Sequence, residues 1–110
     1  MRQVELEAVI AGGSANSGGI NVKGAMVVGI YTDSDFAGAA LAAEVSNDGG
    51  STWFDVQTAA GVDVSIIIGA SEFSRLDPAD WAFAETLRFV SDGAQGGGTP
   101  STLTVVVLAD

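Results

Sequence analysis

Residues 41–57 read LAAEVSNDGGSTWFDVQ, and this stretch decides the fold class. In its first half Leu41, Ala43 and Val45 alternate with small or polar residues, the period-two pattern of a half-buried β-strand. The run 47–50 then supplies Asn, Asp and two glycines, which favour a tight turn. Aromatic and β-branched residues over 53–56 suit a returning strand. The stretch therefore predicts a β-hairpin.

The turn of this hairpin fits the S-x-D-x-G-x-T-W pattern of the Asp-box, a hairpin motif of sialidases and of many unrelated β-proteins. Its residues here are Ser46, Asp48, Gly49, Gly50, Thr52 and Trp53. The Asp48 carboxylate can accept backbone N–H groups across the turn, a glycine can take positive φ, and Trp53 can pack back over the hairpin. In sialidases the motif lies away from the catalytic centre. We therefore interpret it as a structural turn and not as a sugar-processing site.

The same alternation extends along the rest of the chain. Predicted strands cover about residues 3–10, 20–32, 39–46, 53–57, 62–68, 71–76, 85–91 and 102–109. Gly24 is a candidate β-bulge. Asp77 and Pro78 predict the N-cap and first residue of one short helical turn. About eight short strands without a long amphipathic helix predict an all-β, antiparallel β-sandwich of jelly-roll or Greek-key type, with residues 1–110 as a single domain.

Two residue types are missing from the 110-residue sequence: it has no cysteine and no histidine. Disulfides, thiolate chemistry, imidazole general bases and the common zinc ligands are therefore unavailable to it. We predict that the protein is not an enzyme and that it uses no cofactor and no metal.

The charge balance is strongly acidic, with fourteen Asp and Glu residues against four Lys and Arg and a formal net charge of −10. Such a surface repels nucleic-acid phosphates and anionic lipid head groups, so neither nucleic acid nor a membrane is an expected partner. The first residues alternate polar and apolar and do not form a signal-peptide core, which predicts synthesis in the cytoplasm.

The sequence contains two candidate ligand sites, each with a structural alternative. The loop carboxylates Asp33, Asp35, Asp48 and Asp92 could gather around calcium, but no EF-hand spacing is present. The aromatic residues Trp53, Trp81, Tyr31 and Phe36 could form a sugar-stacking platform. Because most aromatic residues fall in or beside predicted strands, packing in a core or an interface is favoured. Trp81, beside the predicted turn, is expected to be the most exposed of them.

Taken together, the chain resembles a group of small β-sandwich virion proteins of tailed bacteriophages. The similarity covers most of residues 20–108 and is carried by the runs VVGI (27–30), F…AAL (36–41), VSNDGGSTWFDV (45–56), LDP (76–78) and LRFVS (87–91), followed by a glycine-rich loop and an apolar last strand. The resemblance implies a structural protein of the particle that decorates or cements the capsid shell. It implies no catalytic residues.

From this resemblance we expect partners among the virion proteins, the major capsid protein first, with the protein on the outer capsid surface as a homo-oligomer. The alternating first strand and the very apolar last strand are the segments expected to make contacts. The predicted interface residues are Val4, Leu6, Trp81, Val105 and Val107. Two alternatives remain open, namely another virion part such as a tail, neck or fibre component, and a carbohydrate-binding module.

Overall fold

A computed structural model describes residues 2–82 and 84–109 of the chain. Nine strands and one 3₁₀ turn make up its regular structure. The strands are β1 (Arg2–Ile10), β2 (Ile20–Asn21), β3 (Met26–Tyr31), β4 (Ala40–Ser46), β5 (Phe54–Asp55), β6 (Ser65–Ile67), β7 (Phe73–Arg75), β8 (Thr86–Ser91) and β9 (Ser101–Ala109); the 3₁₀ turn is Pro78–Trp81. No helix in the described part of the chain has the length and hydropathy to cross a membrane.

The strands form two antiparallel sheets, as the all-β sandwich prediction required. The first sheet has the order β1-β9-β3-β7, and the second has the order β2-β8-β4, with β5 and β6 both pairing along the far edge of β4. If β5 and β6 are counted as one broken strand, the first strand pairs with the last, the second with the seventh, the third with the sixth and the fourth with the fifth. This nested pairing is the jelly-roll arrangement.

The core lies between the sheets and follows the alternation of each strand. Leu41 and Ala43 of β4 face Leu87 and Phe89 of β8 on the inner side. In the first sheet the inward residues include Ile30, Leu103, Val105 and Val107. Each fully buried Val, Leu, Ile or Phe contributes roughly 1.5–3 kcal/mol relative to an exposed one. The core therefore forms without any covalent cross-link.

The predicted long strand over residues 20–32 is two strands, β2 and β3, separated by a turn. Gly24 lies in that turn with φ of 78° and is not a bulge. The register irregularity occurs instead between Val27 and Gly29 in the pairing of β3 with β9. Glycine is common both in turns and in β-bulges because each can require positive φ, and here Gly24 marks a turn.

The predicted helical turn at residues 77–81 is confirmed, but its tryptophan was placed wrongly. Asp77 is the N-cap of the 3₁₀ turn, and its carboxylate accepts the Ala79 N–H, with Pro78 at the first position. Trp81 ends the turn and is only 3% exposed, with its ring centroid 6.1 Å from that of Phe89. The expectation of an exposed Trp81 is therefore wrong, because the turn directs this side chain into the core.

The two glycine-rich loops, 11–19 and 92–100, pack against each other at one end of the sandwich. Gly13 N–H donates to the Gln95 carbonyl, and Gln95 N–H donates to the Ser14 carbonyl. The Gln95 side chain is buried, accepts the Ala37 N–H and donates to the Asp35 carbonyl. One glutamine thus joins three loops.

Candidate interaction surfaces

The Asp-box turn after β4 is held by two side chains. The Ser46 hydroxyl donates to the Asp48 carboxylate at 2.6 Å and accepts the Gly50 N–H at 2.8 Å. The same Asp48 oxygen accepts the N–H groups of Ser51 and Thr52 at 3.0 and 2.9 Å. Gly49 and Gly50 both take positive φ. The carboxylate and the glycines therefore do what the sequence pattern assigned to them.

These hydrogen bonds favour the charged form of the Asp48 carboxylate. The Ser46 hydroxyl, followed by Thr52, lowers the pKa of Asp48 from 3.8 to about 2. An ionised carboxylate whose oxygen is occupied by the turn stabilises a loop and is a poor proton donor at neutral pH. The turn acts as a structural device.

Trp53, the last residue of the motif, lies over the outer face of the second sheet. Its ring is close to the Gly19 backbone, since a Cβ at residue 19 would lie 3.2 Å from the indole. The Arg88 guanidinium lies 4.3 Å from the ring centroid. Arg88 also pairs with the Glu44 carboxylate at 2.7 Å, in a half-buried position. We call Trp53, Arg88 and Glu44 the indole–guanidinium stack; it fastens the hairpin to β4 and β8.

The predicted interface residues divide into two groups in the structure. Val105 and Val107 lie on the inner face of β9, the second strand of the first sheet, opposite Leu6 and Val4 of β1 on one side and Ile30 and Val27 of β3 on the other. Both valines and Trp81 are buried in the core. As surface contacts these three predictions are wrong, because a central strand and an inward-facing turn leave their side chains no access to a partner.

Val4 and Leu6, the other two predicted interface residues, lie on the edge strand β1. They are half-buried and pack against the core from its margin. Nothing in the geometry assigns them a partner directly, so their interface role stays a prediction.

Three aromatic residues of the strands, Tyr31, Phe54 and Phe73, are exposed, whereas Phe89 of β8 is buried in the core. Tyr31 and Phe73 are 45% and 47% exposed and lie side by side on the outer face of the first sheet, with ring centroids 4.5 Å apart. Phe73 covers the Gly29 backbone, where a Cβ would lie 2.6 Å from its ring. Phe54 is also exposed. Packing in a core or an interface was predicted for the aromatic residues; these three are exposed and do not pack in the core, and an interface role for them stays a prediction.

A cleft of about 350 Å³ separates the edges of β6 and β7, where the two sheets part. Buried Ile66 and Trp81 line it together with Arg75, Asp77 and Asp80. The indole Nε1 of Trp81 has no hydrogen-bond partner among residues 2–82 and 84–109. Ile67, at the mouth of the cleft, is 80% exposed, the largest exposed fraction of the exposed large apolar side chains. We call Tyr31 and Phe73 of the first sheet, together with Ile67 of the second sheet, the apolar flank.

The loop carboxylates do not converge on a cation site in the described part of the chain, which contains no group of three acidic side chains able to hold a metal ion. Asp33 is tied into the fold instead. Partial burial raises the pKa of Asp33, but hydrogen bonds from the Thr102 N–H, the Ser101 hydroxyl and the Asp35 N–H outweigh it and hold the pKa below its usual value. Asp33 thereby fixes the end of β3 to the start of β9.

The chain matches no protein-family model, no curated protein and no solved structure. Function must therefore be inferred from the surfaces just described.

Proposed function

We propose that this protein is a non-enzymatic structural component of a virus particle, a capsid decoration or cement protein that stabilises the shell through protein–protein contacts. The observation that carries the proposal is the apolar flank, in which the adjacent rings of Tyr31 and Phe73 and the side chain of Ile67 are exposed on or beside the strands that border the cleft. Adjacent exposed apolar side chains, such as the pair of Tyr31 and Phe73 rings, often mark an interaction site. The jelly roll recurs in viral capsid proteins and in lectins, so the fold alone does not choose between functions.

Charge supports an outward-facing location on the particle. Fourteen acidic residues are set against four basic ones, and two ion pairs join described side chains, Arg88–Glu44 and Lys23–Glu85. Most carboxylates therefore remain available to repel phosphates. A decoration protein on the outer capsid surface is kept away from packaged nucleic acid and can meet the major capsid protein, after synthesis in the host cytoplasm.

A second candidate is a carbohydrate-binding module, and the Tyr31–Phe73 pair favours it. Two adjacent exposed rings can stack on pyranose faces, and jelly rolls include lectins. The ring planes are inclined at 42°, so they do not form one flat platform. The proposal for a protein partner is preferred because Ile67, which cannot stack on a sugar, is the most exposed member of the flank.

The test is quantitative mass spectrometry of purified particles of the virus that encodes the chain. A ratio to the major capsid protein that matches the symmetry of the shell supports decoration. A small fixed copy number would instead indicate a tail, neck or fibre component. Absence from particles, or sugar-specific binding on a glycan array, would overturn the virion role.

Rebinding to particles stripped of the protein tests the flank itself. Ile67→Asp and Phe73→Asp should each weaken rebinding by about tenfold or more, the effect of losing a central apolar contact. Ala94→Asp adds the same charge on an exposed loop and serves as the control. Analytical ultracentrifugation of the same variants shows whether the flank also holds a homo-oligomer together.

A further inference from the structure

The outer edge of β1 is the longest unpaired strand edge in the described part of the chain. β1 spans nine residues and pairs with β9 on one side over its whole length. On the other side only its end is closed, where the Val9 carbonyl accepts the Gly18 N–H. The other edge strands β2, β5, β6 and β7 are two or three residues long. A short edge strand offers little backbone for another strand to pair with, and this protects many proteins from strand addition. The nine-residue β1 does not have this protection.

The direction of the free hydrogen-bonding groups follows from the ladder. Residues of an antiparallel strand point both N–H and C=O alternately towards and away from the neighbour. Because the Val9 carbonyl points away from β9, the backbone groups of Gln3, Glu5 and Glu7 point the same way. Their N–H and C=O groups are therefore directed outward from the sheet.

The side chains of β1 specify what could pair with it. Gln3, Glu5 and Glu7 are exposed on the outer face, whereas Val4 and Leu6 are half-buried at the margin of the core. A strand added here would place alternate side chains beside the two glutamates and the others over Val4 and Leu6. A second copy of the chain would set glutamate beside glutamate, which is unfavourable.

We propose that the β1 edge binds, by strand addition, an extended partner segment in which Lys or Arg alternates with apolar residues. The basic side chains neutralise Glu5 and Glu7, the apolar ones complete the cover over Val4 and Leu6, and main-chain hydrogen bonds supply the rest of the affinity. This inference goes beyond the capsid proposal, because it assigns the chemistry of a partner segment whichever protein carries it.

The direct test uses a blocked peptide of alternating Lys and Val and the full chain. Binding is followed by fluorescence anisotropy, and amide hydrogen exchange is read by NMR. The expected result is saturable binding, slowed exchange at Gln3, Glu5 and Glu7, and an affinity that falls as salt screens the charges. A peptide of the same composition with its lysines clustered, and an alternating Glu/Val peptide, should bind at least about tenfold more weakly.

Two variants separate strand addition from general charge attraction. Glu5→Pro removes one outward N–H without removing a bond to β9, since proline is tolerated where the N–H of an edge strand faces solvent. It should raise Kd for the alternating peptide by about tenfold while the unfolding midpoint stays close to that of the parent. The double change Glu5→Lys/Glu7→Lys should abolish binding, whereas Asp35→Lys/Asp55→Lys, with the same change in net charge, should retain most of it.

Binding unaffected by Glu5→Pro, or protection at β6 or β7 in place of β1, would overturn the proposal. So would self-association of the chain through β1. The peptide experiment needs no virus particle, so its failure and the failure of the capsid proposal are separate results.

Discussion

At the scale of single residues, Asp48 makes the turn after β4 sensitive to acid. Its pKa is lowered from 3.8 to about 2 by the Ser46 hydroxyl first and then by Thr52. Because the folded-state pKa lies below the unfolded one, the ionised carboxylate stabilises the fold above pH 3.8, and this contribution is lost as pH falls towards about 2. Asp48→Asn should therefore lower the free energy of unfolding at neutral pH, and the gap between parent and variant should close over that acid range.

Urea denaturation along a pH series measures that gap. Asp55→Asn is the matched control, since the Asp55 carboxylate makes no hydrogen bond among the described residues, and its difference from the parent should stay small throughout. A gap for Asp48→Asn that is the same at every pH would show that the turn depends on side-chain shape and not on the ionised carboxylate.

The indole–guanidinium stack gives a second prediction at this scale. Arg88 lies 4.3 Å from the Trp53 ring centroid and pairs with Glu44. A cation–π contact contributes about 0.5–1 kcal/mol when exposed and about 2 kcal/mol when desolvated, so a half-buried pair should show a coupling of about 1 kcal/mol. A double-mutant cycle of Trp53→Leu and Arg88→Met, read by chemical denaturation, measures it. Additive effects of the two changes would mean that the ring and the guanidinium stabilise the hairpin independently.

At the scale of elements, the contact between the two glycine-rich loops sets a steric requirement. A Cβ at Gly12 would lie 2.6 Å from the Gly98 nitrogen and 2.8 Å from the Thr99 nitrogen, both backbone atoms. Backbone cannot yield as a flexible side chain can, so Gly12→Ala should destabilise the fold by about 1–3 kcal/mol. Gly97→Ala, in the facing loop with nothing near its Cβ, should be neutral or slightly stabilising. Thermal unfolding compares them, and equal midpoints would mean that the loops separate easily.

At this scale, local sequence patterns predict the strands and turns, whereas contacts between distant parts of the chain decide the features that were predicted wrongly. Period-two alternation located the strands, and the Asp-box pattern located the turn, because both are local and depend on neighbouring residues. Gly24 was misread because a turn and a bulge both use a flexible residue, and only the pairing of β3 with β9 separates them. Trp81 was misplaced for a similar reason, since the direction of a side chain leaving a 3₁₀ turn depends on the sheets around it.

At the scale of the whole molecule, the nested strand pairing explains why the interface prediction is wrong for residues on β9 and remains a prediction for residues on β1. Alternation shows which side chains share a face, but it does not reveal which strand lies at an edge. β9 has β1 on one side and β3 on the other, so Val105 and Val107 are enclosed. β1 has one neighbour in the described structure, and that difference in position gives the two strands different roles.

The net charge of −10 gives the last prediction, on the stability of the whole fold. The molecule measures 35 × 28 × 26 Å, so unpaired carboxylates on it lie within one screening length of many others at low salt, where that length is about 30 Å at 0.01 M. Their repulsion destabilises the compact state. Two ion pairs oppose this repulsion: Lys23–Glu85 is exposed and contributes little, and the half-buried Arg88–Glu44 pair is screened less by salt. Sodium chloride raised to about 0.5 M should therefore increase stability by about 1 kcal/mol, or several degrees in the thermal midpoint.

The double variant Asp35→Lys/Asp55→Lys has less net charge, so its stability should respond less to salt. A midpoint that falls with salt would mean that attractive pairs, and not repulsion, dominate the surface.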